Sequence, residues 1–218
     1  MVSILMQVIM ILITYQKVFS FTHNDLHTNN VMFIETEKKF LYYRYNKKNY
    51  KVPTFGRIAK IIDFGRAIYK YDGLIMCSDS FKPGNDASTQ YNTEPYFNED
   101  KPRLEPNMSF DLCRLATSIY DELIDDEEDI IASPVATLIN EWCKDDEGRN
   151  ILYKQNGEER YPAFKLYKMI ARVVHLHTPD AQLSRPEFSK YGIGSKDIST
   201  KMRSKIMNID KLPVLSLK

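Results

Sequence analysis

Residues 1–21, MVSILMQVIMILITYQKVFSF, carry their apolar positions with a helical period. Ile4, Leu5, Val8, Leu12, Tyr15 and Phe19 recur at three- and four-residue steps, while Ser3, Gln7, Thr14 and Lys17 fall on another face. The pattern predicts a buried core helix. Its dense apolar run, Ile4 to Ile13, is interrupted by Gln7 and is shorter than the roughly 20 residues a membrane span needs. The first lysine is Lys17, so the basic start of a secretory signal is not found, nor is a small-residue cleavage site. Further on, Phe40 to Tyr45 and Tyr50 to Val52 flank the polar run Asn46-Lys47-Lys48-Asn49, which predicts a hairpin on the surface. From Gly65 to about Asn107 the chain reads as polar and irregular. Ser109 then caps a helix over 109–123 with an apolar stripe of Leu112, Leu115, Ala116 and Ile119. Ser133-Pro134 opens another helix, to about Cys143, with proline in its first turn. Tyr161 to His175 forms a third. Past Tyr191 only a weak stripe, Met202 to Ile206, predicts a loosely packed tail. The expected fold class is α+β, mostly helical, with a body over 1–190 and a tail over 191–218.

Length and charge narrow the function. A chain of 218 residues is one domain. Its 30 Lys+Arg against 29 Asp+Glu leave a net charge of +1, which disfavours a nucleic-acid partner held by bulk charge. The three cysteines, Cys77, Cys113 and Cys143, are too widely spaced for a disulfide framework or a CxxC knuckle. An intracellular, reducing compartment is therefore expected. The four histidines offer no HExxH spacing.

Two strings carry chemistry. The first is Phe21-Thr22-His23-Asn24-Asp25-Leu26-His27-Thr28-Asn29-Asn30-Val31-Met32, and the second is Ile61-Ile62-Asp63-Phe64-Gly65. Together and in this order they resemble the catalytic loop and the D-F-G motif of protein kinases. The resemblance implies that Asp25 is the carboxylate that takes or orients the acceptor's proton. Asn30 and Asp63 are then the oxygen ligands of two Mg²⁺ ions bridging the phosphates of ATP. His23, Phe64 and Gly65 fill structural places of the two motifs, and Met32 is the apolar contact on the floor of the adenine site. Hence ATP and Mg²⁺ are the implied cofactors. The catalytic loop spans 21–32, the D-F-G motif 63–65 and the activation segment 63–107.

Three departures mark the chain. Asn24 stands where an Arg usually receives an activating phosphate. His27 stands where a Lys usually touches the transferring phosphate, so that contact is expected to be weaker and pH-dependent. The stretch between Asn30 and Asp63 is longer than usual by the hairpin already noted.

The resemblance covers residues 3 to about 190 and is to the C-terminal lobe alone, with a flavour of the divergent kinases of large DNA viruses. Ser109 to Tyr120 resembles the central buried helix of the family, whose early Asp, here Asp111, anchors the catalytic loop. Leu104-Glu105-Pro106-Asn107 is the nearest string to the usual A-P-E, and Pro179 to Phe188 resembles the D-P-x-x-R-P stretch. The family pattern implies an ion pair between Arg185 and Glu105. No glycine-rich loop or strand lysine precedes Asp25, so the N-lobe is expected to be absent from this chain and supplied separately, covering residues 1–21. The implied activity is ATP-dependent transfer to a protein hydroxyl, serine or threonine. A catalytically silent kinase-like binding module is a second reading. A small-molecule phosphotransferase of the aminoglycoside or choline type is a third, since those also carry H-x-D-x-x-x-x-N, often with His at the His27 place.

Overall fold

The computed structural model describes residues 1–217. Helix α1 (Val2–Phe19) opens the chain and ends where Ser20 turns left-handed, φ 49°. It is long and apolar enough to cross a membrane by length and composition, yet 56% of it is buried inside this fold. Leu5, Met6, Val8, Ile9, Met10, Leu12 and Ile13 all belong to the core. Ser3, Gln7 and Thr14, which the pattern puts on a separate polar face, are buried as well. They are covered because each has a partner there. The Ser3 hydroxyl donates to the Pro53 carbonyl. Gln7 accepts from the Ala59 amide at 2.9 Å and donates to the Arg57 carbonyl at 3.3 Å. Thr14 donates back to the Met10 carbonyl.

After α1 come β1 (Val31–Glu35), β2 (Phe40–Tyr45), β3 (Lys48–Pro53) and β4 (Arg57–Ile61). β1 pairs antiparallel with β4, from Val31 opposite Ile61 to Glu35 opposite Arg57. β2 pairs antiparallel with β3. The four strands therefore form one long two-stranded ribbon with a bend at 36–39 and 54–56. The bend is held by the Thr36 amide on the Gly56 carbonyl, the Thr54 amide on the Lys39 carbonyl, and the Thr54 hydroxyl on the Lys38 carbonyl. Gly56 sits at φ +80°, a conformation glycine adopts without steric penalty.

The predicted hairpin exists, but it is not a surface elaboration. Tyr43, Tyr50 and Val52 are buried in the core. Nor do the residues past 190 hang loose. β7 (Gly192–Ile193) pairs with β3, and β8 (Ile206–Asn208) runs parallel to β2, giving a four-stranded sheet in the order β7-β3-β2-β8. The last segment also buries Ile209, and the Lys17 ammonium donates to the Ile209 carbonyl. Strands of two and three residues have no periodicity to read; they exist because the ribbon offers edges to pair with.

The segment after the D-F-G string is also more regular than expected. β5 (Ile68–Tyr71) and β6 (Leu74–Cys77) form a hairpin. Its turn, Asp72-Gly73, has φ 48° and 74°, and Asp-Gly between apolar runs is a strong hairpin signal. β5 is tied to the loop after α1, because Thr22 and Ile68 exchange amide-to-carbonyl bonds of 2.9 and 3.0 Å.

The helical half holds α2 (Phe110–Thr117), α3 (Glu127–Ala132), α4 (Pro134–Trp142), α5 (Lys165–Val173), α6 (Pro179–Gln182), α7 (Pro186–Ser189) and α8 (Thr200–Arg203). α2 is shorter than expected and continues after a break as a single tight turn, Tyr120–Glu122. Phe110, Leu112, Cys113 and Ala116 on α2 are fully buried. Trp142 at the end of α4 stacks on Phe188 of α7, centroids 6.1 Å apart, and its indole N–H donates to Gln182 at 2.8 Å. The expectation of a mostly helical chain is overturned. Helix makes up 37% of the residues and strand 19%, in several sheets. The excess of strand comes from the bent ribbon, the two short strands that join it and the β5–β6 hairpin.

Candidate active site

The loop over 22–30 is fixed from below by α2. Asp111 is fully buried, and its carboxylate accepts from the amides of His23 at 2.8 Å and Asn24 at 2.9 Å. Burial pushes the Asp111 carboxyl up, while the neighbouring His23 and the two amide bonds pull it back. The expected anchoring role of Asp111 thus has a definite geometry. Ser118 adds a second tie, its hydroxyl accepting from the Thr28 amide at 3.0 Å.

Asn24 adopts φ 63°, a left-handed conformation that asparagine tolerates better than most residues. Its side chain is fully committed. The amide nitrogen reaches the Thr22 and Arg66 carbonyls, and the oxygen accepts from the Tyr91 hydroxyl at 2.6 Å. Asn24 therefore ties the loop to the segment over 63–107 by neutral hydrogen bonds.

His23 bridges the two motifs. Its Nδ1 faces the Asp25 amide at 3.3 Å and its Nε2 faces the Ile62 carbonyl at 2.9 Å. Those two contacts set the tautomer with the proton on Nε2. The β1–β4 register does the rest. With Val31 opposite Ile61, the Asn30 carbonyl accepts from the Ile62 amide at 3.0 Å, so Asn30 and Asp63 meet at the same end of the ribbon.

Asn30 is buried, and its amide nitrogen donates to the Asp25 carbonyl at 2.9 Å. That turns the nitrogen inward, and its Oδ1 accepts no hydrogen bond among the described residues. Asp63 is left-handed at φ 59°, and its Oδ1 accepts from the Gly65 amide at 3.2 Å. Among the described residues no Lys, Arg or His pairs with the Asp63 carboxylate. Phe64 is held edge-on by Tyr15 and Phe21 and tilted against His23.

Donor chemistry allows a test of fit for magnesium. No group of three or more His, Cys, Asp and Glu gathers among the described residues. Mg²⁺ needs no such cage, because it keeps waters and is bound by one or two carboxylates plus substrate phosphates. One amide oxygen and one unpaired carboxylate fit that demand.

Asp25 is surrounded by His27, which the sequence singled out, and by Tyr167 and Arg66, which it did not. Its Oδ1 accepts from the Tyr167 hydroxyl of α5 at 2.6 Å. Arg66 Nη1 lies 3.9 Å from Oδ2, and His27 Nε2 4.0 Å from Oδ1. Arg66 also lies over the rings of Phe164 and Tyr167. Arg114 lies over Tyr167 at 5.0 Å. Burial, and then the charge of Arg114, lower the pKa of His27 below its usual 6.5. The lowered pKa favours the neutral form of His27, and the permanent cation beside Asp25 is Arg66, with Arg114 over the Tyr167 ring.

Met32 is 52% exposed and is followed by exposed Phe33 and Ile34; Ile62 and Phe64 are exposed too. A cleft of about 920 Å³ lies between the bent ribbon and α1, lined by Met10, Ile11, Leu41 and Ile61 among others, and takes in none of Asp25, Asn30 and Asp63.

The expected pair of Arg185 and Glu105 does not form. Glu105 accepts from Arg103 at 2.7 Å and from Thr93 at 2.6 Å, and Arg103 also holds Glu94. Arg185 instead faces Glu187, 3.6 Å away. An arginine two residues from Glu105 reaches it at little loop entropy, which the distant partner cannot match.

The chain matches no family model, and no curated protein is significantly similar to it.

Proposed function

We propose that the chain is a protein-kinase-like phosphotransferase lobe that transfers the terminal phosphoryl group of Mg·ATP to a protein hydroxyl. The observation that carries the reading is that Asp63, distant in sequence, is brought to the loop bearing Asp25 and Asn30 through the Asp111 anchor and the Ile62–Asn30 bond. Phosphoryl transfer asks little covalent work of the protein; it asks for positioned charge and a carboxylate at the acceptor. Asp25 accepts the acceptor's hydrogen bond. Asn30 Oδ1 and the Asp63 carboxylate would hold magnesium, which when bound neutralises charge between the phosphates. Arg66 and Arg114 supply the positive charge that neutral His27 does not.

The exposed apolar strip of Met32, Ile34, Ile62 and Phe64 supports a second lobe or partner chain as the cover of the adenine side, since ligand sites depend on burying most of the ligand. Three free cysteines, two of them buried, support an intracellular, reducing setting.

The test is transfer of labelled phosphate from Mg·ATP to casein. Asp25→Asn should lower the rate about 100-fold or more while leaving the fold intact. Equal rates for both proteins would sink the assignment of Asp25.

A further inference from the structure

The group sitting on Asp25 is itself a hydroxyl. Tyr167 donates to Asp25 Oδ1 at 2.6 Å, within the range of a charge-assisted O–H···O⁻ bond. An acceptor hydroxyl awaiting phosphoryl transfer would make the same contact with the same oxygen. Tyr167 lies on α5, 142 residues from Asp25 in sequence, and its ring is held in place by stacking on Phe164, centroids 5.1 Å apart.

A second observation concerns what lies beside that hydroxyl. The Arg114 Nε is buried with no hydrogen-bond partner. Among the described residues no carboxylate pairs with Arg114; Nη1 makes a long contact, 3.3 Å, to the Thr117 hydroxyl, and the guanidinium also hydrogen-bonds the Tyr167 side chain. Its guanidinium lies 5.0 Å from the Tyr167 ring centroid, and that of Arg66 5.7 Å. An uncompensated arginine in a partly dry place is a ready acceptor for a phosphate, which pairs with guanidinium bidentately.

The geometry points to Tyr167 as the site of an intramolecular phosphorylation, with its hydroxyl as the acceptor seated on Asp25 and Arg114 as the cation that receives the new phosphate. The inference rests on the phosphotransferase reading above, and the co-substrate is Mg·ATP. In the step, a bond forms between the Tyr167 oxygen and the γ-phosphorus. The bond from that phosphorus to the β-phosphate oxygen breaks, its electron pair leaves with ADP, and the phenol proton passes to Asp25. Burial raises the pKa of the phenol, Arg114 opposes the rise, and the hydrogen bond to Asp25 adds to it; the group therefore keeps its proton until the transfer. Once phosphorylated, Tyr167 carries close to two negative charges and is repelled by Asp25 toward Arg114. Asp25 is thereby freed for an external hydroxyl.

The experiment incubates the full chain with labelled Mg·ATP at several protein concentrations, with casein present, and maps the label by peptide mass spectrometry. Mg·ATP binding is followed by calorimetry on the same preparation. The expected result is label on Tyr167 with a rate constant independent of protein concentration. Tyr167→Phe should abolish that label, and Asp25→Asn should slow it about 100-fold or more. Bound Mg·ATP with Tyr167 unlabelled, whatever happens to casein, overturns this inference alone. A rate that grows with protein concentration also overturns it, because the acceptor would then come from another molecule. No binding and no label anywhere would overturn the phosphotransferase reading and this inference with it.

Discussion

Replacing Asp111 by alanine removes the acceptor of two buried amides at once. The His23 and Asn24 N–H groups donate to its two oxygens at 2.8 and 2.9 Å, and all three residues are fully buried. Each orphaned buried donor costs about 1–3 kcal/mol, so Asp111→Ala should lose about 2–6 kcal/mol. Asp111→Asn keeps one carbonyl acceptor and turns its NH₂ toward the other amide, so its loss should be about 1–3 kcal/mol. The desolvation that pushes the carboxyl up offsets part of each figure and favours the lower halves of the ranges. Single domains are stable by about 5–15 kcal/mol, so the alanine variant gives up a large share. Urea unfolding at pH 7 measures the loss as a shift of midpoint at constant slope. A loss below about 1 kcal/mol for alanine would refute the reasoning, because the amides would then have found other acceptors. An asparagine variant as weak as the alanine one would show that the charge, and not the acceptor count, holds the loop.

Other consequences are as concrete. Gln182→Leu strands the buried Trp142 indole N–H, which now donates to Gln182 at 2.8 Å, and should cost about 1–3 kcal/mol in urea unfolding; no change would mean the indole is satisfied elsewhere. Gln7→Leu removes the acceptor of the Ala59 amide at the α1 face of β4 and should cost a similar ~1–3 kcal/mol, with faster amide exchange at Ala59 as its local sign. His177 is buried, and desolvation lowers its pKa below its usual 6.5. The unfolded chain therefore binds the proton first, and stability should fall as pH drops through 6.5 and below, levelling off under the folded pKa. His177→Gln should flatten thermal melts between pH 7 and 5, and an unchanged slope would remove His177 as the cause.

The legible parts of the molecule were the local ones. The α1 stripe, the two motif strings and the α4 start each fit inside a short stretch of chain, and local spacing is enough to read them. The polar residues of α1 misled, because Ser3, Gln7 and Thr14 look like a solvated face until a bent ribbon covers them. The Asp72-Gly73 turn carries a local hairpin signal, masked by the polar residues around it. β7 and β8 were not readable at all, since two or three residues pair only where an edge already exists. Tyr167 was equally hidden. Nothing near it in sequence speaks of Asp25, and the contact depends on how α5 packs beside the loop. The Arg185–Glu105 expectation failed for the opposite reason: a local competitor, Arg103, stood closer than the pattern allowed for.

The most direct measurement is calorimetry of Mg·ATP with the purified chain and with Asp63→Asn, with magnesium present and with it chelated. The account predicts binding that needs magnesium and is weakened at least about tenfold, or about 1.4 kcal/mol, by the substitution. Binding that ignores both magnesium and Asp63, or no binding to the chain at all, would contradict it.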